Sequence, residues 1–232
     1  LHAILWPLSI IFFFFFKLKR TAYHYGLLAT TRYPIPLIIV DGITVNGIEK
    51  SALTVWLVNF LSSNGLRPAV ITCSYSDNYQ EFPTEVTTSS DKTQVGDNAL
   101  FLAFHCSKQN CPVWIGQDSS TVGLDLLKAN PDRNVLICDG GLHDYRLHRD
   151  LEILVLDTDK YYFGNGFTLP AGPLRDNLTR LNFADAIVLN EKNRQSFDQV
   201  DSSKIYYVKT NSSEFINHYH TSDHLKKITT TG

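Results

Sequence analysis

The segment Pro36–Ser51 has the residue spacing of a phosphate-binding loop. Its apolar run Leu37–Val40 is typical of a buried strand, and small residues then lead to Lys50 and Ser51. In such loops backbone N–H groups surround the phosphates, the lysine reaches the β- and γ-phosphates, and the hydroxyl binds Mg²⁺. The residue before the lysine is normally glycine, because the backbone passes close to phosphate there. Here it is Glu49, which adds a negative charge to an anion site.

Asp139 is a second candidate for phosphate chemistry. It follows the apolar run Val135–Cys138, and an aspartate at the end of a strand holds Mg²⁺ in many phosphoryl-transfer enzymes. Its spacing from the loop allows the two strands to be parallel neighbours. The alternatives are an ordinary strand-end aspartate and, for Lys50, a solvated lysine in the first turn of a helix.

Strands and helices alternate along the chain as in an α/β domain with a mostly parallel sheet. The predicted strands are Leu37–Val40, Ala69–Cys73, Val113–Ile115, Asn134–Cys138, Ile153–Leu156, Ala186–Leu189 and Ile205–Val208. The predicted helices are Ser51–Ser62, Ala99–Cys106 and Ser119–Ala129. We expect a long loop or a short hairpin over the polar stretch Ser74–Val95.

The apolar face of the first of these helices is predicted from its periodicity. It comprises Leu53, Trp56, Leu57, Phe60 and Leu61.

Composition excludes some classes of function. The 232 residues are 44% hydrophobic, so the chain can build a core. The net charge is −2, so the chain lacks the excess of positive charge that favours binding to nucleic acid. The four cysteines lack C-x-x-C spacing and are expected to be reduced, as in a cytosolic protein. There is no methionine, so we expect the natural start to lie upstream.

The segment Leu1–Phe16 is nearly all apolar and is followed by the basic cluster Lys17–Arg20. As a helix it would be about 24 Å long, slightly short for a bilayer core of about 30 Å, and Pro7 interrupts it. We favour a membrane-embedded or interfacial anchor with the basic cluster at cytoplasmic lipid headgroups. The alternative is a buried core helix.

Several motifs resemble those of one family, the bacterial tetraacyldisaccharide 4′-kinases. The family's loop V-G-N-I-T-V-G-G-T-G-K-T-P is similar to Val40–Ala52, in which Thr44, Gly47, Lys50 and Ser51 keep the pattern or its chemistry. Its S-D-D-G-L-Q-H-Y-R-L-A-R-D-L-E-I resembles Cys138–Ile153, which keeps Asp139.

The most specific likeness is to the family's F-G-N-G and L-P-A-G-P-L-R-E-P. The chain has Phe163–Gly166 and Leu169–Arg175 at these places. The resemblance covers roughly residues 1–215 in the family's order.

The departures from the family's pattern fall at positions that take part in the family's chemistry. Asn46, Ile48 and Glu49 alter the loop, and Gly140 replaces the second acid after the strand. Two arginine positions hold Cys73 and Ser119 instead. The chain also ends before the F-A-G-I-G-x-P segment that opens the family's carboxyl-terminal lobe, so we expect a divergent, carboxyl-terminally truncated member.

The resemblance implies a P-loop NTPase-like α/β fold with helices on both sheet faces, preceded by a membrane-associated helix. The expected organisation is an anchor over residues 1–20, a kinase-like domain over 21–215 and a polar tail over 216–232. The implied activity is ATP-dependent phosphorylation of the 4′-hydroxyl of a tetraacylated glucosamine disaccharide in lipid A biosynthesis. The chain would act as a monomer at the cytoplasmic face of the bacterial inner membrane, with that lipid as its partner and no nucleic acid.

The resemblance also implies a role for each site residue. ATP would be bound by Thr44, Gly47, Lys50 and Ser51, and Mg²⁺ would be held by Ser51 and Asp139. Asp97 would deprotonate or orient the sugar hydroxyl. Lys50 and Asp139 would also be catalytic. Asp97 is an equally good N-cap for Ala99–Cys106. The alternative function is an impaired or inactive relative, or a product of gene decay, that keeps the scaffold and its lipid association.

Overall fold

The computed structural model describes residues 2–44, 48–72, 83–156, 163, 165–190 and 201–208. Its α-helices are α1 (His2–His24), α2 (Ile48–Ser63), α3 (Lys92–Cys106) and α4 (Ser119–Ala129). Its strands are β1 (Leu37–Asp41), β2 (Pro68–Thr72), β3 (Thr84–Val86), β4 (Val113–Ile115), β5 (Val135–Asp139), β6 (Leu151–Leu156), β7 (Ala186–Asn190) and β8 (Ile205–Val208). Short 3₁₀ turns span Ser107–Gln109, Leu178–Phe183 and Ser202–Lys204.

The strands form one sheet in the order β3-β4-β2-β5-β1-β6-β7-β8. Every pair in this described sheet is parallel except β3–β4, which confirms the predicted mostly parallel α/β fold. Strand β3 was not predicted as a strand of this sheet, because three residues within a polar stretch give no usable periodicity. It adds to the edge by pairing with β4.

Both faces of the sheet are covered around its central strands. Ile38 and Val40 of β1 point to the face on which α2 and α3 pack, whereas Leu37 and Ile39 point to the opposite face, where α4 packs. This alternation follows from the two-residue period of a strand. The central strands β1, β2 and β5 therefore have α-helices on both sides.

The predicted apolar face of α2 is partly wrong. Trp56 and Phe60 are 56% and 50% exposed, and their rings stack on each other with centroids 5.3 Å apart. The face that is buried includes Ser51 and Thr54 together with Val58. Polar side chains are turned inward here because they have partners at the end of β5, as described below.

Helix α3 begins earlier than predicted, and its start is capped by Asp91, whose side chain accepts a hydrogen bond from Thr93 N. The helix is interrupted at Gly96, where φ is 77°. A positive φ of this size is readily adopted by glycine alone. The interruption lies immediately before Asp97 and Asn98, so it sets the direction in which these two side chains leave the helix.

Helix α1 lies against the turn that contains Thr168 and Ala171. The buried Ser9 hydroxyl donates to Thr168 O at 2.9 Å and accepts from Ala171 N at 3.0 Å. The opposite side of the helix is exposed, including Phe14 and Phe15 at 60% and 62%, so the alternative of a buried core helix is wrong.

Within the described residues, no helix combines the length and the apolar character needed to cross a bilayer. The predicted domain boundaries at residues 20 and 215 stay predictions.

Candidate active site

The candidate site lies where β1 and β5 end. The two strands are parallel neighbours, with Val40 in register with Asp139. Helix α2 begins close by at Ile48, so its first-turn N–H groups, which lack partners within the helix, lie near the same sheet edge. The carboxyl edge of a parallel sheet is where such folds bind their ligands.

Asp139 is the centre of a buried hydrogen-bonding cluster. Its side chain is fully buried. The Ser51 hydroxyl lies 3.0 Å from Oδ2, the Thr54 hydroxyl lies 3.0 Å from Oδ1, and Asn98 Nδ2 donates to Oδ2 at 2.6 Å. Three segments of chain, α2, α3 and β5, therefore meet at one carboxylate.

Burial raises the pKa of Asp139, because a charged carboxylate loses its hydration there. The positive charge of Lys50 opposes this rise, as do the hydrogen bonds from Asn98, Ser51 and Thr54. Burial is the largest of these effects. A further positive charge beside Asp139, such as a divalent cation, would favour the ionised form.

Lys50 lies at the same sheet edge. Its side chain is 19% exposed, and Nζ is 4.0 Å from Asp41 Oδ1. A Cβ built at Gly140 would lie 3.4 Å from Nζ, and Gly140 has a φ of +96°. The second acid that the family motif has at this position would thus be next to Lys50, and any side chain there would strain the backbone.

The turn that contains Leu174 and Arg175 borders the start of the phosphate loop. Thr44 forms an antiparallel bridge with Leu174, and Arg175 N donates to Ile43 O at 2.7 Å. Thr44 is itself buried. The most specific motif in the sequence is therefore packed against the loop that follows β1.

Asp97 lies beside this cluster but does not join it through its carboxylate. Its side chain is 74% exposed and is paired with Lys92 Nζ at 2.8 Å. The next residue, Asn98, is the one that contacts Asp139 and also comes within 2.5 Å of the Ser51 hydroxyl through Oδ1. The helix cap proposed for Asp97 belongs instead to Asp91.

The structure brings Lys50, Ser51 and Asp139 to one sheet edge, while their roles in binding and catalysis stay predictions. Gly47, also predicted to bind ATP, lies outside the described residues, as does Cys73. The side chain of Glu49 is likewise not described, although its backbone falls in the first turn of α2.

Sequence reasoning missed three members of the site. Asp41 closes β1, and Thr54 and Asn98 contact Asp139. Thr54 is three residues after Ser51, so both lie on one face of a helix, and this spacing was an available signal. Asp41 directly follows the apolar run Leu37–Val40, as Asp139 follows Val135–Cys138, so its position was also an available signal. Nothing in the sequence alone indicates that Asn98 reaches the site.

The donor set is suited to Mg²⁺ held together with a nucleotide. Within the described ranges there is no group of three or more His, Cys, Asp or Glu side chains that could hold a metal alone. Mg²⁺ usually keeps several waters and takes one or two protein oxygens besides the phosphates of a substrate. Ser51 Oγ and the Asp139 carboxylate, 3.0 Å apart, are oxygen donors of this kind.

Comparisons with known proteins identify the family of the chain. The model of the tetraacyldisaccharide-1-P 4′-kinase family matches residues 1–230. The chain belongs to this family. A tetraacyldisaccharide 4′-kinase of Nitrosomonas europaea is 39% identical over 217 residues, which is 94% of this chain and 54% of the relative. One from Nitrosococcus oceani is 41% identical over 187 residues, or 81% of this chain and 54% of the relative.

The chain thus spans about half the length of these two tetraacyldisaccharide 4′-kinases. A solved structure of the family has the same fold: the "apo" form of LpxK from Aquifex aeolicus, in complex with ATP, with a TM-score of 0.73. It is 24% identical, and the likeness covers 89% of this chain and 64% of that one.

Replacing Asp139 with asparagine should change how stability depends on pH. In the native chain the raised pKa keeps Asp139 protonated in the folded state at pH values where the unfolded chain has lost that proton. The native chain therefore loses stability as pH rises from about 4 to the raised pKa. Over that range we expect Asp139→Asn to gain stability relative to the native chain, by at most about 1.4 kcal/mol per pH unit.

Urea unfolding at a series of pH values, in buffer without Mg²⁺, measures this difference. Asp125→Asn, a substitution of a carboxylate that pairs with Lys128 on α4, is the control and should follow the native chain. A difference between Asp139→Asn and the native chain that stays constant with pH would contradict the expected burial effect.

Proposed function

We propose that the chain binds Mg²⁺-ATP at the ends of β1 and β5 and transfers its γ-phosphoryl group to the 4′-hydroxyl of a tetraacylated glucosamine disaccharide, the lipid A precursor. The observation that carries the proposal is the placement of Lys50, Ser51 and Asp139 at one sheet edge beside the start of α2. Membership of the kinase family supports the reaction, and the ATP complex of the Aquifex aeolicus relative supports the nucleotide.

Each residue has a distinct task in this proposal. Lys50 binds the β- and γ-phosphates, because its ammonium group is at the mouth of the site and keeps some exposure to solvent. Ser51 and Asp139 hold Mg²⁺, which when bound neutralises charge on the phosphates. Thr54 and Asn98 orient the Asp139 carboxylate through their hydrogen bonds.

Asp97 is proposed to accept the proton of the 4′-hydroxyl. Its carboxylate is accessible to a substrate from solvent, and it follows directly on the break in α3 at Gly96. Its present partner, Lys92, is half exposed, so an approaching sugar would compete with a weak surface ion pair. Asn98, the next residue, keeps this part of α3 beside Asp139.

The lipid substrate is proposed to reach the site from the cytoplasmic surface of the inner membrane, on which α1 lies. The exposed side of α1 carries Phe14, Phe15 and Leu18, and Lys17 and Lys19 are close along the helix. Apolar side chains with adjacent lysines suit the boundary between lipid tails and anionic headgroups. Ser9 fixes the opposite side of the helix to the turn before Arg175, which connects the membrane surface to the site.

Mg²⁺-ATP should stabilise the native chain against heat, and Lys50→Ala should remove most of that stabilisation. At a ligand concentration 100 times Kd the gain is about 2.7 kcal/mol, which corresponds to a rise in Tm of roughly 5 °C or more for a chain of this size. Differential scanning fluorimetry measures it. Lys128→Ala, which removes an exposed lysine on α4, should keep the full shift.

Transfer of labelled phosphate from ATP to the disaccharide precursor then separates an enzyme from an inactive relative. Stabilisation by Mg²⁺-ATP without transfer would indicate a nucleotide-binding chain that does not catalyse by itself. No stabilisation of the native chain, or an equal shift in Lys50→Ala, would contradict the proposed site.

Replacing Phe14 and Phe15 by serine should weaken binding to vesicles that contain phosphatidylglycerol. Each buried phenylalanine contributes roughly 1.5–3 kcal/mol, so the pair should lower the partition coefficient more than tenfold. Co-sedimentation measures this change.

The control is Trp56→Ser with Phe60→Ser, which removes a similarly exposed aromatic pair from α2. Equal losses of vesicle binding in the two double variants would count against α1 as the membrane contact.

A further inference from the structure

Asp41 lies at the carboxyl end of β1, and none of the roles proposed above uses its side chain. It is 3% exposed. Its Oδ1 accepts a hydrogen bond from Gly42 N at 2.8 Å, and its Oδ2 accepts one from Leu142 N at 2.9 Å. Both oxygens are therefore fixed by backbone N–H groups, and the negative charge cannot turn away from the site.

Two cations face this fixed charge. Lys50 Nζ and Arg175 Nη1 are each 4.0 Å from Asp41 Oδ1. At that distance neither forms a direct hydrogen bond to Asp41, and within the part of the chain that the structure describes no other acceptor takes a hydrogen bond from Lys50 Nζ or Arg175 Nη1. Arg175 is held in place because its backbone N–H donates to Ile43 O, two residues beyond Asp41.

We propose that Asp41 is an internal counter-ion that sets the affinity of the site for polyphosphate anions. It neutralises part of the positive charge of Lys50 and Arg175, and it repels any phosphate that binds between them. The native chain then binds free polyphosphate weakly and depends on a divalent cation to bring the phosphate in. The ATP part of this inference rests on the proposed function, whereas its anion part does not.

The ordinary alternative is that Asp41 only caps two backbone N–H groups. Under that alternative a substitution weakens folding and leaves anion affinity unchanged or lower. The counter-ion role predicts the opposite sign, since removing the charge should tighten binding. Damage to the fold would weaken anion binding rather than strengthen it.

Asp150, which directly precedes β6, provides a matched control that contacts β1 at its other end. Its Oδ2 accepts a hydrogen bond from Leu37 N at 2.8 Å, so it is also an aspartate held by a backbone N–H of β1. It lies at the opposite end of the strand, about 13 Å from Asp41 at 3.3 Å per residue. Asp150→Asn changes the net charge by the same amount without touching the site.

The experiment is calorimetric titration with inorganic pyrophosphate in the absence of Mg²⁺. We expect Asp41→Asn and Asp41→Ser to bind roughly tenfold more tightly than the native chain, as removal of one nearby charge implies at a partly shielded site. Asp150→Asn should stay within about twofold, since its charge is beyond the Debye length of about 10 Å at 0.1 M salt. Adding Arg175→Gln to Asp41→Asn should remove most of the gain, because the two residues are coupled.

A second titration with Mg²⁺-ATP separates this inference from the proposed function. If the Asp41 variants gain pyrophosphate affinity but no variant binds ATP, the counter-ion role holds and the nucleotide function fails. If the native chain binds ATP and neither Asp41 variant gains pyrophosphate affinity, the counter-ion role is overturned and the function stands. Absence of pyrophosphate binding in every folded variant would also overturn the counter-ion role. Two different Asp41 substitutions guard against a single variant that does not fold.

Discussion

The candidate site depends on the buried carboxylate of Asp139. Its hydrogen bonds join the first turns of α2, through Ser51 and Thr54, to α3, through Asn98, at the end of β5. Removing one partner would leave a buried charged or polar group unsatisfied, which typically costs 1–3 kcal/mol or more. Because these bonds set the position of Ser51, they also set that of its neighbour Lys50 at the mouth of the site.

Charge at this sheet edge is balanced differently from the family motifs that the sequence resembles. Gly140 stands where the motif has a second acid, whereas Asp41 brings a carboxylate to a position where the motif has glycine. The two exchanged positions lie beside the same cation. Position 140 and Asp41 both face Lys50, so an acid at either place meets the same cation.

The sequence predicted most of the fold, and it did so where a physical pattern was strong. Continuous apolar runs such as Leu37–Val40 are typical of parallel strands covered on both faces, and all the predicted strands are present within the described residues. The helix Ser119–Ala129 is present with the predicted bounds. Strand β3 was not predicted from the sequence, because a three-residue edge strand carries no such pattern.

The site was predictable only in part, since its outer members depend on packing between segments distant in sequence. Lys50, Ser51 and Asp139 follow from local spacing. Asn98 reaches Asp139 only because α3 breaks at Gly96 and packs beside α2. The face of α2 was misjudged for the same reason: Thr54 is turned inward by its contact with Asp139, and this leaves Trp56 exposed.

The most direct test of the central claim is a titration of the isotope-labelled chain with Mg²⁺-ATP, followed through the backbone amide resonances. The proposed site predicts large shifts at Gly42, Lys50, Ser51 and Gly140, which surround the ends of β1 and β5. Leu126, buried in α4 beneath the opposite sheet face, should be unaffected. Saturable shifts confined to other parts of the chain, or none at millimolar nucleotide, would contradict a nucleotide site centred on Asp139.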